Sequence, residues 1–310
     1  MSGGVFVTGA TGVLGRATVP RLVAAGFAVS AAVRSDSAAD ALEATGVRPV
    51  RVDLFDPDSV SSALIGHDAV AHLATNVPPL VRMRSPRAWE THNRLRVDAT
   101  RNLVVAARAR GVERLVKESV TFTYLDGEDR WLDENAAVDG ATAWRPTLEG
   151  ERIATGFATS GGQAVVLRFG ALYSSDARST QEWRGLATRR VAPVPGRADA
   201  YVSSIHVDDA ARAVVAALGA PSGTYNVVDD RPLTRRELAD AFAAAFGTRR
   251  LHLVPPQPVR AFGGSGAGAL VASQRVSNAR FRDVTGWSAA MPDAAAGWSA
   301  IATLGEGVRT

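Results

Sequence analysis

The sequence predicts an α/β fold, a doubly wound parallel sheet with a smaller, less regular C-terminal lobe. Three observations carry this prediction. Short β-rich runs alternate with helical stretches through residues 1–170, the pattern of parallel strands joined by right-handed crossovers. A glycine-rich turn separates the first run from its helix. After about residue 170 the alternation loosens.

The elements follow in order. "GVFVTGA" (4–10) reads as a strand entering a glycine turn, and 13–25 as a helix that ends at Gly26 and carries Pro20, which is expected to kink it. "AVSAAV" (28–33) is the second strand, and a helix follows near 37–45. "PVRVDL" (49–54), "AVAHLA" (69–74), "RLVKESV" (114–120) and "AVVLRF" (164–169) supply four more strands, with helices near 57–64, 87–110 and 147–160 between them. In "YVSSIHVDDAARAVVAAL" a short strand and a helix, 204–219, return to the main sheet. "GTYNVVDD" gives another strand, and Thr234 with Glu237 forms a capping box ahead of the next helix. The chain thus divides into a sheet domain, 1–170 with 204–219, and a lobe, 171–310, that includes the "GGSGAG" run at 263–268.

Composition narrows the chemistry. The chain has 310 residues, 46% hydrophobic and 21% charged, enough for one large domain or two units sharing a core. It has no cysteine, which excludes disulfides, thiolate nucleophiles and cysteine-type zinc sites. The five histidines are dispersed, so no metal is expected. No apolar run approaches the roughly 18 residues that cross a bilayer, and the N-terminus lacks a basic-then-apolar leader. A cytoplasmic protein without a membrane partner is the expectation. The net charge is +4, carried almost wholly by arginine, since Lys117 is the only lysine. Arg87, Arg94, Arg101 and Arg108 recur every seven residues along one helix face, with Glu90 and Asp98 among them. That mixture reads as a solvated face or a helix-on-helix contact, not a nucleic-acid stripe. A looser cluster, Arg82, Arg84 and Arg87 beside Pro78, Pro79 and Pro86, reads as a loop placed to meet an anionic substrate group.

The motif that carries chemistry is "VFVTGATGVLGR". Gly9, Gly12 and Gly15 lie directly after a strand and at a helix start, where glycine permits the sharp turn and lets backbone approach a pyrophosphate. The helix N-terminus offers unpaired N–H groups to the phosphates. Thr8, Gly9, Thr11, Gly12, Val13, Leu14 and Gly15 are therefore candidate cofactor-binding residues in a Rossmann-like domain. At the end of the second strand, where an acid accepts the adenosine ribose hydroxyls, the chain has Arg34. A guanidinium there suits a 2′-phosphate and favours NADP, with NAD as the alternative should Asp36 or Asp40 take the ribose. Asp53 is placed to accept from the adenine amino group, with Leu54 beside it. Leu73, Ala74 and Thr75 line the adenosine and phosphates.

Taken in order, "TGATGVLG", "VDLFD", "HLAT", "RNLVVAARARGVERLV", "VVLRFGALY", "SSIHVDDAARAVVAAL" and "GTYNVVDD" resemble the extended short-chain dehydrogenase/reductase family, which includes nucleotide-sugar epimerases and dehydratases. The resemblance spans nearly the whole chain and implies a small-molecule substrate in the C-terminal lobe. It also admits a homodimer. It implies that Phe169, with Gly170 and Tyr173, stands near the nicotinamide end. The family's chemistry rests on a Tyr-x-x-x-Lys pair and a hydroxyl after the fifth strand; the lysine makes a tyrosine of ordinary pKa near 10 a usable proton carrier.

That pair is absent. The expected positions hold Ala143 and Thr147, and four residues beyond Tyr124, Tyr173, Tyr201 and Tyr225 lie Glu128, Ala177, Ile205 and Asp229. Ser119 is the best match to the family's hydroxyl, and Tyr124 is the candidate replacement acid. Glu118 points the other way and reads equally as an arginine partner or a base. Trp144 and Arg145 flank the vacant positions. Arg168 reads as a structural hydrogen-bond donor, and His206 and Asp209 as helix-start bonders. The functional expectation is an NADP-dependent reductase of a small polar carbonyl compound with a non-standard proton donor. The alternatives are a non-redox isomerase or cyclase, and a non-catalytic NADP sensor.

Overall fold

In a computed structural model, residues 3–79, 82–140, 143–262 and 266–306 are described; residues 263–265 of the glycine-rich run lie outside them. In chain order the elements begin β1 (Gly4–Thr8), α1 (Val13–Ala24), β2 (Ala28–Val33), α2 (Asp36–Glu43), β3 (Arg48–Arg51), α3 (Pro57–Ala63) and β4 (Ala69–His72). They continue α4 (Pro86–Arg94), α5 (Thr100–Ala109), β5 (Arg114–Val120), β6 (Trp131–Leu132), α6 (Arg145–Thr155), β7 (Gln163–Phe169) and β8 (Ala171–Tyr173). Next come α7 (Arg178–Ala187), β9 (Tyr201–Val202), β10 (Ser204–His206), α8 (Val207–Ala217), β11 (Gly223–Val227), β12 (Leu233–Thr234) and α9 (Arg235–Ala245). The last are α10 (Pro256–Phe262), α11 (Ala267–Val271), β13 (Arg275–Val276), α12 (Ala279–Thr285) and α13 (Ala294–Glu306).

The α/β architecture is the predicted one. Seven strands form one sheet in the order β11-β7-β5-β4-β1-β2-β3, with every pairing parallel. Apolar side chains cover both faces, as an all-parallel sheet requires. On one face Val5, Val7, Val116 and Leu167 pack on Leu14, Val19 and Leu22 of α1 and on Ala210 and Val214 of α8. On the other, Phe6, Val70, Leu115 and Val166 pack on Val60 of α3, Leu103 and Ala107 of α5 and Ala154 of α6. The strand order reverses between β1 and β4, so the crevice at their C-terminal ends is the switch point where such sheets bind ligands.

The short strand expected to return to the main sheet, β10, instead pairs with β8 in a separate two-stranded sheet. The later chain reaches the main sheet through α8, which packs on it, and through β11, which pairs with β7 and becomes its edge. The rest of the lobe has its own core around Trp298, with Tyr173, Leu238 and Phe242. The Thr234–Glu237 capping box is present at the start of α9. α1 continues across Pro20, which lies on its exposed face.

The helix expected over 87–110 is interrupted. Between α4 and α5 lies a π-helical turn, Leu95–Ala99. Such a wide turn leaves carbonyls without their usual helical partner. Here the His72 ring lies 3.2 Å from the Leu95 carbonyl, and the Thr100 hydroxyl donates to that of Arg96 at 2.7 Å. α6 presses on the same turn through Gly150, where a Cβ would sit 2.3 Å from the Arg96 carbonyl oxygen.

Candidate functional site

The site is a cleft of about 280 Å3 along the switch point. Its floor is the turn after β1. Gly9 has φ +75°, the left-handed region that glycine enters freely. A Cβ on Gly15 would lie 2.1 Å from the Gly9 carbonyl oxygen, so α1 packs against its own turn only with glycine there. Gly12 is the N-cap of α1; no side chain caps it and no acid occupies the first turn. The first-turn N–H groups therefore stand open to an anion. Arg16 holds the turn from outside, donating to the Thr11 carbonyl at 2.8 Å and pairing with Asp176 of the lobe at 2.6 Å.

Of the cofactor residues expected from sequence, Gly9, Thr11, Gly12, Val13, Leu14 and Gly15 line this cleft, together with Arg34, Leu54, Leu73, Ala74 and Thr75. Arg34 is exposed and lines it with no ion pair among the described residues, while Asp36 is paired with Arg51. Three expected residues are not among this lining, each with a local reason. The Thr8 hydroxyl is buried against His72 Nδ1 at 2.7 Å. The Asp53 carboxylate turns onto its own loop, accepting from the Phe55 N–H at 2.9 Å. Phe169 is wholly buried in the sheet's core. Val52, Phe55 and Leu172 also line the cleft. Ala32, Asn76, Thr91, Leu95 and Glu118 complete the lining.

Neither candidate catalytic residue lines the cleft. Ser119 is fully buried and donates to Glu151 Oε1 of α6. Tyr124 is 1% exposed. Its phenol donates to Asn226 Oδ1 at 2.8 Å and accepts from Arg168 Nη1 at 2.9 Å. Burial pushes that phenol above its ordinary pKa, against the opposing pull of Arg168. Trp144 stacks on Phe122, with ring centroids 6.0 Å apart.

Behind the β5–α6 end of the cleft lies a layer of buried charge. Arg168 pairs with Glu151 through two bonds, Nε at 2.9 Å and Nη2 at 2.6 Å. Arg96, carried inward by the π-helical turn, forks onto both oxygens of Glu118 and also donates to the Glu118 carbonyl at 2.8 Å. Fork-to-carboxylate geometry of this kind is strong and orientation-specific. The Lys117 ammonium is wholly enclosed and donates to the Glu118 carbonyl at 2.8 Å. Burial, reinforced by Arg96 and opposed by Glu118 and Glu151, brings its pKa down to about 7. Burial likewise holds His72 well below its ordinary value and His92 at about 2, so both rings are neutral. Among the described residues no cluster of metal-binding side chains occurs, and no helix is long and apolar enough to cross a membrane.

Arg96 was invisible to the seven-residue spacing of its neighbours. It follows Arg94 by two positions, roughly 200° around a helix, so it points away from the solvated stripe. That offset is the signal that marks it. The stripe itself is solvated, with Arg94 and Arg101 both on Asp98. His206 caps α8, its ring accepting from the Asp208 N–H at 3.2 Å.

Residues 9–221 match a family model described as NAD(P)H-binding. A Streptomyces protein named 3-diazoavenalumate denitrifying reductase is 33% identical over 93% of this chain and 96% of its own length. A 2-alkyl-3-oxoalkanoate reductase of Shewanella oneidensis is 29% identical over 78% of this chain and 66% of its own length. The human epimerase family protein SDR39U1, solved with NADPH, superposes with a TM-score of 0.77 at 22% identity, covering 97% of this chain and 99% of that one.

Proposed function

The chain belongs to the NAD(P)H-binding family of short-chain dehydrogenase/reductase type, and from that premise we propose that it is an NADPH-dependent reductase of a small polar electrophile whose product requires no proton from the protein. The donor set fits a dinucleotide phosphate. The glycine turn leaves room for backbone to meet a pyrophosphate, the start of α1 is uncapped, and Arg34 faces the cleft free of an acid partner. A guanidinium in that position takes a 2′-phosphate through paired charge-assisted bonds; NADH is then the weaker partner.

The observation that carries the reading is the polar lining: Thr11, Thr75, Thr91, Asn76, Arg34 and Glu118, with no tyrosine or lysine among them. Glu118 is committed to Arg96, Ser119 to Glu151 and Tyr124 to Asn226 and Arg168. When bound, NADPH supplies a hydride, and a diazonium-bearing acceptor of it sheds dinitrogen without asking for a proton. The name of the Streptomyces relative describes such a denitrifying reduction. A second reading, the carbonyl reductase expected from sequence, is favoured by the name of the Shewanella relative; it draws its proton from water in the cleft. Cofactor oxidation measured with an arenediazonium acid and with a panel of 3-oxo acids separates the two. Tyr124→Phe is expected to keep the rate within about twofold, since it deletes a hydrogen bond outside the cleft. A rate loss with unchanged folding returns Tyr124 to the mechanism, and cofactor binding without turnover of any substrate points instead to a sensor.

A further inference from the structure

We propose that residues 76–79 and 82–88 after β4, with the start of α7, form a binding pocket for an anionic group of the substrate, a carboxylate or phosphate, held by Arg82, Arg87 and Arg178. The proposal rests on the reductase reading above and names the substrate class of that site. A second cavity, of about 330 Å3, opens beside the cofactor cleft and shares Asn76 with it. That volume lies in the range of small-ligand pockets, and the shared residue sits just past the C-terminal end of β4 at the switch point.

The three guanidiniums reach this cavity from two directions. Arg82 and Arg87 come from the proline-flanked loop and the first turn of α4, and Arg178 comes from the first turn of α7. The Arg82 N–H donates to the Pro79 carbonyl at 2.8 Å, and Trp89 Nε1 donates to the Met83 carbonyl at 2.8 Å, which anchors the chain entering α4. Arg178 Nη2 donates to the Val77 carbonyl, tying α7 to the chain after β4.

Most of the charge has no ion pair: among the described residues no acid lines the cavity, Arg82 and Arg87 make no ion pair, and Arg178 is 3.7 Å from Glu182. Arg87 also stands in the first turn of α4, the positive end of that helix, with Ser85 lining the cavity and making no cap bond. Placing arginine there is unfavourable unless an anion joins it. Fork donors from opposite walls suit a planar or tetrahedral oxyanion.

The test is calorimetric titration of the full chain, with and without NADPH, using cinnamate, phenyl phosphate and the neutral cinnamamide. The wild-type protein is expected to bind at least one of the two anions about tenfold more tightly than the amide, and the tighter anion names the group. Arg82→Ala with Arg87→Ala, both exposed and outside the cofactor lining, should abolish that preference while NADPH affinity stays within about twofold. Equal binding of all three compounds overturns the proposal. So does a parallel loss of NADPH affinity in the double variant, which would make the cavity part of the cofactor's phosphate site. A protein that binds no NADPH at all defeats the reductase reading, whereas the anion preference of the cofactor-free chain is measured independently of it.

Discussion

The two ends of the cleft are held in place by different physics. At the β1–α1 end, backbone does the holding: a left-handed Gly9, a Gly15 with no room for a Cβ, and open N–H groups on α1. At the β5–α6 end, buried charge does it, through Arg96 on Glu118 and Arg168 on Glu151, with Lys117, whose pKa burial lowers to about 7, behind them. The first arrangement is specific for a ligand and cheap in stability. The second touches the cleft only through Glu118, and it fixes the geometry at the cost of enclosing ions, which is stabilising only while every partner is present. Binding and folding should therefore respond separately to damage at the two ends.

The largest expected effect tests that separation directly. Glu151→Gln strands the Arg168 guanidinium in the core and should cost about 3–5 kcal/mol of stability, read as a shift in the urea midpoint, with NADPH affinity nearly unchanged in the folded fraction. Gly15→Ala should act chiefly on binding, with a smaller stability loss from the clash. The new Cβ pushes α1 off its turn, and NADPH binding falls on the order of a hundredfold, equivalent to about 3 kcal/mol, read by quenching of intrinsic fluorescence. Arg34→Ala should weaken NADPH binding roughly tenfold and leave NADH unaffected; equal losses for both cofactors would mean that Arg34 reads no 2′-phosphate.

The smallest effect sharpens the electrostatic half. The pKa of Lys117 is about 7 in the folded protein against 10.5 ordinarily. Between these values the unfolded chain holds a proton that the folded chain has released, so this group makes stability rise with pH across that window. Below it, folding must enclose the ammonium. Lys117→Met should flatten the slope, removing roughly 1 kcal/mol of the difference between neutral and mildly alkaline conditions, measured by denaturant titration at the two pH values.

The same contrast explains what was legible in the sequence. Backbone geometry demands particular residues at fixed spacing, so the glycine turn, the strand sequence and Arg34 could be read from a single local stretch. Tyr-x-x-x-Lys could be ruled out by counting alone. The charge layer is assembled from residues 96, 118, 151 and 168, which meet only after folding, and the π-helical turn that aims Arg96 inward leaves no periodicity of its own. From sequence, Tyr124 reads as able to reach the substrate because a phenol near the fifth strand is suggestive; its partner Asn226 arrives from β11, a hundred and two residues on. Asp53 is turned by a nearer partner. A short acid in a loop bonds its nearest backbone N–H first.

That late-arriving β11 also governs how the molecule can be rearranged. The strand that closes the sheet beside β7, and the α8 helix that covers α1, come from residues 207–227. A fragment ending near residue 170 would expose β7 as a bare edge and uncover an apolar helix face, both invitations to aggregation. During synthesis the nucleotide-binding half cannot close until this returning segment has left the ribosome. Anyone grafting a relative's C-terminal lobe onto this scaffold must therefore leave the returning segment with its parent sheet and splice on either side of it.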